Sequence, residues 1–247
     1  MEPHMRNTLY ITGAGVSSES GIPTFRGQDG YWTVGSRNYT PQEMATRTMY
    51  THCPLEFLKW YYHRFVAYRH HGPNVIHHWL ADKNLITQNI DGLDGKAGNT
   101  NYISIHGRID KITLFHTQGE PVDILDAPWD EVDESNLDES LLSLFRIEGA
   151  PTLNHSYKPF VLLFDEYYTD LYQMSEAERR MHEAERIIFM GTSFSVNITN
   201  IALNIAYHRG IPVEVVDPNP VRIPYPDVTY HAMTGSAYVA MMEESGT

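Results

Sequence analysis

Four short stretches carry side chains with chemistry to offer. Gly13-Ala14-Gly15 follows the apolar run Leu9-Tyr10-Ile11-Thr12. Glycines placed directly after a strand permit a tight turn and let backbone amides approach a pyrophosphate. Thr87-Gln88-Asn89-Ile90-Asp91-Gly92-Leu93 closes a second apolar run and sets an amide and a carboxylate two residues apart. By residue type alone that stretch is equally a turn satisfied by its own backbone. His106-Gly107 follows Tyr102-Ile103-Ser104-Ile105, and an imidazole with an unperturbed pKa near 6.5 suits proton abstraction at neutral pH. The chain holds 13 histidines, so type alone does not single out His106. Gly191-Thr192-Ser193 follows a run ending at Met190.

The first loop is a poor fit to a hydride-transferring dehydrogenase. Ser18 stands where the third glycine of that fingerprint belongs, and no strand ending in an acid follows about twenty residues later to hold a ribose.

The elements that must position these residues are legible as apolar runs of strand length at 9–12, 85–87, 102–105, 160–164, 187–190 and 213–216. They are continuous rather than alternating, as strands buried on both faces of a parallel sheet are. Helices are expected at 54–71, 74–82, 166–185 and 197–209, the last stopped by Gly210 and Pro212. The alternation implies an α/β fold with a doubly wound, Rossmann-like parallel sheet. Two segments interrupt it, 21–73 and 108–157, and fifty residues between neighbouring strands is too long for a plain connection. A single domain over 5–245 is expected, with Met5 as its start. Its sheet part takes 5–25, 84–107 and 158–245; a smaller inserted lobe takes 26–83, mostly helical, and 108–157.

Composition narrows the classes. Of 247 residues 42% are hydrophobic and 20% charged, as in an ordinary globular chain rather than a disordered or fibrous one. No apolar run approaches the roughly 18–20 residues of a membrane span, and no secretory leader is visible. The single Cys53 excludes an internal disulfide and a cysteine-rich zinc site. A cytoplasmic, reducing compartment follows as the simplest expectation. Thirty-one acids against 18 bases give −13, a balance unlike a nucleic-acid binder and suited to cationic partners such as lysine-rich tails. Within 120–139 there are nine acids and no Lys or Arg.

The run from Gly13 to Gly27 (Gly-Ala-Gly-Val-Ser-Ser-Glu-Ser-Gly-Ile-Pro-Thr-Phe-Arg-Gly) resembles the signature loop of the sirtuins, the silent-information-regulator family. Thr87 to Leu93, His106-Gly107 and Gly191-Thr192-Ser193 resemble the later blocks of that family in order and spacing, across nearly the whole chain. The resemblance implies an NAD-dependent protein-lysine deacylase. NAD would be consumed as a co-substrate, with nicotinamide and O-acyl-ADP-ribose released, and acyl-lysine proteins or peptides would be the partners.

The resemblance also implies roles. His106 would be the base that activates a ribose hydroxyl. Asp91 would hold the nicotinamide amide, Asn89 would position the ribose and a water, and Gln88 would contact the ribose hydroxyls, with Ile90 between them. Gly13, Ala14, Gly15, Ser18 and Thr24 would line the cofactor. Phe25 would shield the reactive carbon and Arg26 would cover the phosphates. Gly191, Thr192 and Ser193 would close around phosphate and ribose; Asp217 would accept ribose hydroxyls, although the family more often has Asn there. Gly235-Ser236-Ala237 would cap the adenine through Ser236 and Ala237. His70, His71, His77 and His78 lack such context and are expected on the surface.

The peptide would add as a strand between 160–166 and 193–196, touching Val161, Phe164 and Val196. Here the sequence departs from the family, with Asp165 in place of Gly and Ile198-Thr199 in place of Pro-Ala. Most sirtuins also carry four zinc cysteines, and Leu114 and Thr117 stand at the first pair's distance from His106. His116 alone is no substitute, so no zinc is expected. Ile112, Leu114, Val122, Leu125, Trp129, Leu141, Leu142 and Leu144 would pack the lobe instead. Tyr61 and Arg64 lie three apart in an expected helix and so share a face. Family members that prefer succinyl or malonyl lysine are similar there, so an acidic acyl group stands beside acetyl as the substrate. The lost zinc and altered peptide loops keep a plain NAD hydrolase or an ADP-ribosyltransferase open, and a nucleotide sensor less so.

Overall fold

The computed structural model describes residues 7–24 and 39–245. The expectations for Phe25 and Arg26 therefore fall outside the described residues. Within them the strands are β1 (Thr8–Thr12), β2 (Asn84–Thr87), β3 (Ile103–Ser104), β4 (Gly107–Leu114), β5 (Ile124–Asp126), β6 (Tyr157–Val161), β7 (Arg186–Met190), β8 (Val213–Val216) and β9 (Thr229–His231). Six of these form one parallel sheet in the order β3-β2-β1-β7-β8-β9, with Leu9 opposite Asn84 on one side and Ile187 on the other. Strand order reverses at β1, which makes the carboxyl ends of β1, β2 and β7 the expected ligand crevice of a doubly wound sheet.

The apolar runs read as continuous because the pleat sends alternate residues into two separate layers. Leu9, Ile11, Ile86, Ile187 and Phe189 pack with Ala177, Met181, Ala202 and Ala206 on one face. Tyr10, Leu85, Ile188, Met190 and Val216 pack with Ile76, Leu80 and Tyr238 on the other. The helix Asn197–Arg209 ends on Gly210, whose φ of 65° is the left-handed cap expected from the sequence.

The apolar pattern places the run 160–164 in the main sheet, and here the structure corrects the sequence reading. β6 begins at Tyr157 and pairs antiparallel with β4 in a second sheet ordered β5-β4-β6. Pro159 lacks an N–H and is tolerated because β6 is an edge strand. The run is apolar because Val161 and Leu163 enter the core of the small lobe, around Tyr50, Phe57, Trp60, Trp129 and Phe145. Val161 and Leu163 thus pack with the small-lobe cluster, whereas Ile76 and Leu80 pack against the main sheet. Of the insert residues expected to pack the lobe, Ile112, Trp129 and Leu141 are buried, but Leu125 is exposed on β5. The expected helix at 166–185 is shorter, Met174–Glu183, preceded by a single 3-10 turn. No helix among the described residues is long and apolar enough to cross a membrane.

Candidate active site

Each chemical side chain sits where a parallel strand ends. After β1 the chain turns through Gly13-Ala14-Gly15, and after β7 through Gly191. These two turns touch backbone to backbone: a Cβ on Gly15 would lie 2.6 Å from Gly191 Cα, and one on Gly13 2.7 Å from Gly191 O. The N–H groups of Gly13 and Gly15 donate to Met190 O and Gly191 O. Their use is therefore close approach of the two loops; those two donors are not turned to a ligand. Ser18 Oγ donates to Gly15 O at 2.6 Å, and half-buried Thr24 closes the first described segment.

After β2, Gln88 donates through Nε2 to Thr12 O and reaches Thr192 Oγ1 at 3.2 Å, joining three strand ends. Asn89 Nδ2 donates to Gly13 O and to Ser17 Oγ. Asp91 accepts from Leu93 N through Oδ1 at 2.9 Å and from Ser17 Oγ through Oδ2 at 2.7 Å. Ala14, Ser17, Asn89, Ile90 and Asp91 line one small crevice. A larger cavity of about 330 Å³ also reaches Asp91 and is bordered by Arg64, Arg69, His70, Lys96 and Ile109.

Ser17 and His77 are absent from the residues the sequence reading selects. His77, expected on the surface, is fully buried. It follows the helix cap Asn74, and its Nδ1 accepts the Asn74 backbone N–H in a capping box. That leaves Nε2 as the protonated nitrogen, 3.5 Å from Ser17 Oγ, at the head of a chain running His77, Ser17, Asp91. Burial lowers the His77 pKa against the pull of Asp91. The available signal is Asn74, three residues before His77.

His106 ends β3's extension, and Gly107 fixes it. Gly107 has a φ of +81°, and a Cβ there would fall 2.0 Å from Phe160 O, so only glycine fits between the two sheets. His106 Nδ1 donates to Gln88 O at 2.9 Å, which leaves Nε2 as the unprotonated nitrogen of the neutral ring. Burial pushes its pKa down to about 4, partly countered by the Gln88 carbonyl. A neutral imidazole with a defined lone pair on Nε2 can take a proton from a hydroxyl brought up to it; His106 itself borders neither of the two cavities described above.

The remaining candidates lie further out. Thr192 is buried, and Ser193 Oγ pairs with Ser195 Oγ. Asp217 follows β8 and spends one oxygen on Asn219 N. Ser236 and Ala237 open the helix Gly235–Glu244, and Ser236 N donates to Glu19, next to the first loop. Val161 is buried opposite Gly107, Phe164 is exposed, and Val196 is half-buried. Arg64 is buried with its guanidinium 3.3 Å from the Trp60 ring centre. Tyr61 packs against Phe57 and Trp60 and does not border the cavity. Asp165 accepts from Arg47 N and Thr48 N at the start of the helix Arg47–His52. Among the described residues no cluster of three or more His, Cys, Asp or Glu could hold a metal ion.

The glycine turns, Gln88, Asn89 and Asp91 thus converge at the point where a dinucleotide would lie, and the residues fit NAD. Residues 13–198 match the family model described as Sir2 family. The chain is 32% identical over 223 residues to an NAD-dependent protein deacylase 1 of Caldanaerobacter subterraneus subsp. tengcongensis, covering 87% of this chain and 84% of the relative. It is 30% identical over 253 residues to an NAD-dependent protein deacylase 1 of Archaeoglobus fulgidus, covering 95% and 90%. A crystal structure of a Sir2 homolog–NAD complex superposes with a TM-score of 0.73 at 26% identity, over 98% of this chain and 92% of that one.

Proposed function

The chain belongs to the Sir2 family, and from that premise we propose that it consumes NAD to remove acyl groups from protein lysine side chains, releasing nicotinamide and O-acyl-ADP-ribose. NAD supplies the electrophilic ribose carbon once nicotinamide leaves. Asp91, held by Ser17 and Leu93 N, would orient the nicotinamide amide, and Asn89 would hold the ribose. The acyl oxygen would bond to that ribose carbon as nicotinamide leaves. His106 Nε2 would take the proton of a ribose hydroxyl, whose oxygen bonds to the acyl carbon as the bond to the lysine nitrogen breaks. The amine leaves with a proton, and one water completes the hydrolysis to O-acyl-ADP-ribose. The observation that carries this reading is the neutral, singly oriented His106 at the edge where the glycine turns and the 88–91 loop meet.

The acyl group is the finer question, and we read it as one ending in a carboxylate. Arg64 is a buried cation lining the cavity that reaches Asp91; Arg69, His70 and Lys96 line it too, together with Asp110 and Asp130, the latter paired with Arg69. A hydrogen bond to a charged group contributes about 1.5–3 kcal/mol, or roughly ten- to a hundredfold in selectivity. Tyr61 supports Arg64 through Trp60.

The test supplies NAD with succinyl- and acetyl-lysine versions of one peptide. Nicotinamide is expected only when an acyl-lysine is present, and succinyl is expected to be favoured by the wild type and not by Arg64→Met. Release without acyl-lysine would make the protein an NAD hydrolase. His106→Ala is expected to lose roughly a hundred- to ten-thousandfold in product formation.

A further inference from the structure

The lone pair assigned to catalysis is already engaged. Tyr168 Oη lies 3.0 Å from His106 Nε2, and the two rings sit nearly parallel, 24° apart with centres at 6.0 Å. Because Nδ1 carries the ring proton toward Gln88 O, Nε2 can only accept, and the phenol must donate to it. Tyr168 stands in the segment that follows β6. Leu162 N, earlier in that segment, donates to His106 O at 3.0 Å, so one stretch of chain grips His106 at backbone and side chain. The phenol ring is half-buried in the layer formed by Met174, Phe194, Val196 and Ile198.

Geometry sets a conflict. Nε2 has one lone pair, and the Tyr168 hydroxyl and a ribose hydroxyl cannot both donate to it. We propose that Tyr168 is a positioning residue for the base, one that caps Nε2 in the resting protein, fixes the Nδ1–H tautomer together with Gln88, and cedes the lone pair to the ribose hydroxyl at acyl transfer. What displaces the cap rests on the deacylase reading; the cap itself rests on the contacts alone. The same segment carries exposed Phe164, at the edge expected to receive the peptide, so the occupant of that edge acts where Tyr168 is tethered. The phenol is a donor rather than a proton store: burial pushes its own pKa up to about 12, partly offset by the backbone N–H of Ile198.

Tyr168→Phe keeps the ring and removes only the hydroxyl. Nitrogen-detected NMR of the histidine rings in the full chain, with His106 assigned by its loss in His106→Gln, reads the cap without any activity. The hydroxyl donates to the neutral ring and can accept from Nε2–H of the protonated one, the stronger of the two bonds, so its removal is expected to lower the His106 titration midpoint by about 0.5–1 in pH. In the deacylase assay the acid limb should fall in parallel. Steady-state product formation should fall severalfold, while the first-turnover, acyl-dependent release of nicotinamide, which precedes acyl transfer, should stay within twofold. An unchanged His106 titration, or the opposite tautomer in the wild type, overturns the proposal. So does a loss as deep as that of His106→Ala, which would make Tyr168 a proton carrier. A wild type that releases no nicotinamide with any acyl-lysine refutes the deacylase reading while the titration still decides the cap.

Discussion

His106, the proposed base, is made weak by its surroundings. With its pKa held near 4, it stays neutral well below the pH at which an exposed histidine charges. Protonation removes the lone pair, so activity through His106 is lost as pH falls through the folded pKa and not through 6.5. The acid limb of kcat/KM, which reports the free enzyme, is therefore expected below pH 5. A limb near 6.5 would show that the site rehydrates before it works. Ser17 matters through Asp91: it donates to Oδ2 and accepts from Asn89, so one small side chain orients both neighbours. Ser17→Ala removes a bond worth about 1 kcal/mol, and a roughly fivefold loss of deacylation with weaker nicotinamide inhibition is expected from initial rates across a nicotinamide series.

At the scale of elements, the two lobes are joined by side chains as well as by the chain. The segment after β6 is fastened to the helical part of the small lobe by acids. Asp165 accepts from Arg47 N at 2.6 Å and from Thr48 N and Oγ1 at 3.1 Å. Glu166, almost fully buried, takes Arg47 at 3.1 Å and Lys158 at 3.5 Å, and Arg47 also donates to His116 O. A side-chain cap contributes about 0.5–2 kcal/mol, so Asp165→Ala is expected to lower the melting temperature by several degrees at about 2–4 °C per kcal/mol in a chain of this size. An unchanged melting temperature would make Asp165 a surface acid. Five of the six main-sheet strands and the glycine and histidine turns are legible in the sequence because their apolar runs and turn chemistry are local; β9 (Thr229–His231), short and half-polar at the sheet edge, is not, nor are β4 and β5. The partner of β6 is not, since a run buried between two layers and a run buried in a parallel sheet have the same composition. Pro159 is the available hint of an edge. His77 is hidden for a different reason: its burial follows from a capping box that folds the third helical residue back onto Asn74.

At the scale of the whole molecule, the switch-point edge is also where the fold stores a solvation cost. Asp94, the second residue of the short helix Leu93–Lys96, is buried and has no hydrogen-bond partner for Oδ1 among the described residues. Burial and the nearby Asp91 raise its pKa from 3.8 to about 7, against a hydrogen bond from Thr87. A carboxyl raised on folding favours the folded state while it is protonated. That contribution is whole below about pH 4, shrinks as pH climbs toward 7, and is gone above it. A rise of that size corresponds to about 4 kcal/mol. His106 works the other way, stabilising above 6.5 and losing its contribution as pH falls toward 4. A difference between two proteins that share His106 cancels that part. Asp94→Asn keeps the shape and cannot ionise, so its melting temperature relative to the wild type is expected to rise by several degrees between pH 4.5 and pH 8. Thermal unfolding of both proteins across that range checks it. A difference that stays flat with pH would mean that Asp94 is ionised at no cost and that the buried edge is wetter than its packing indicates.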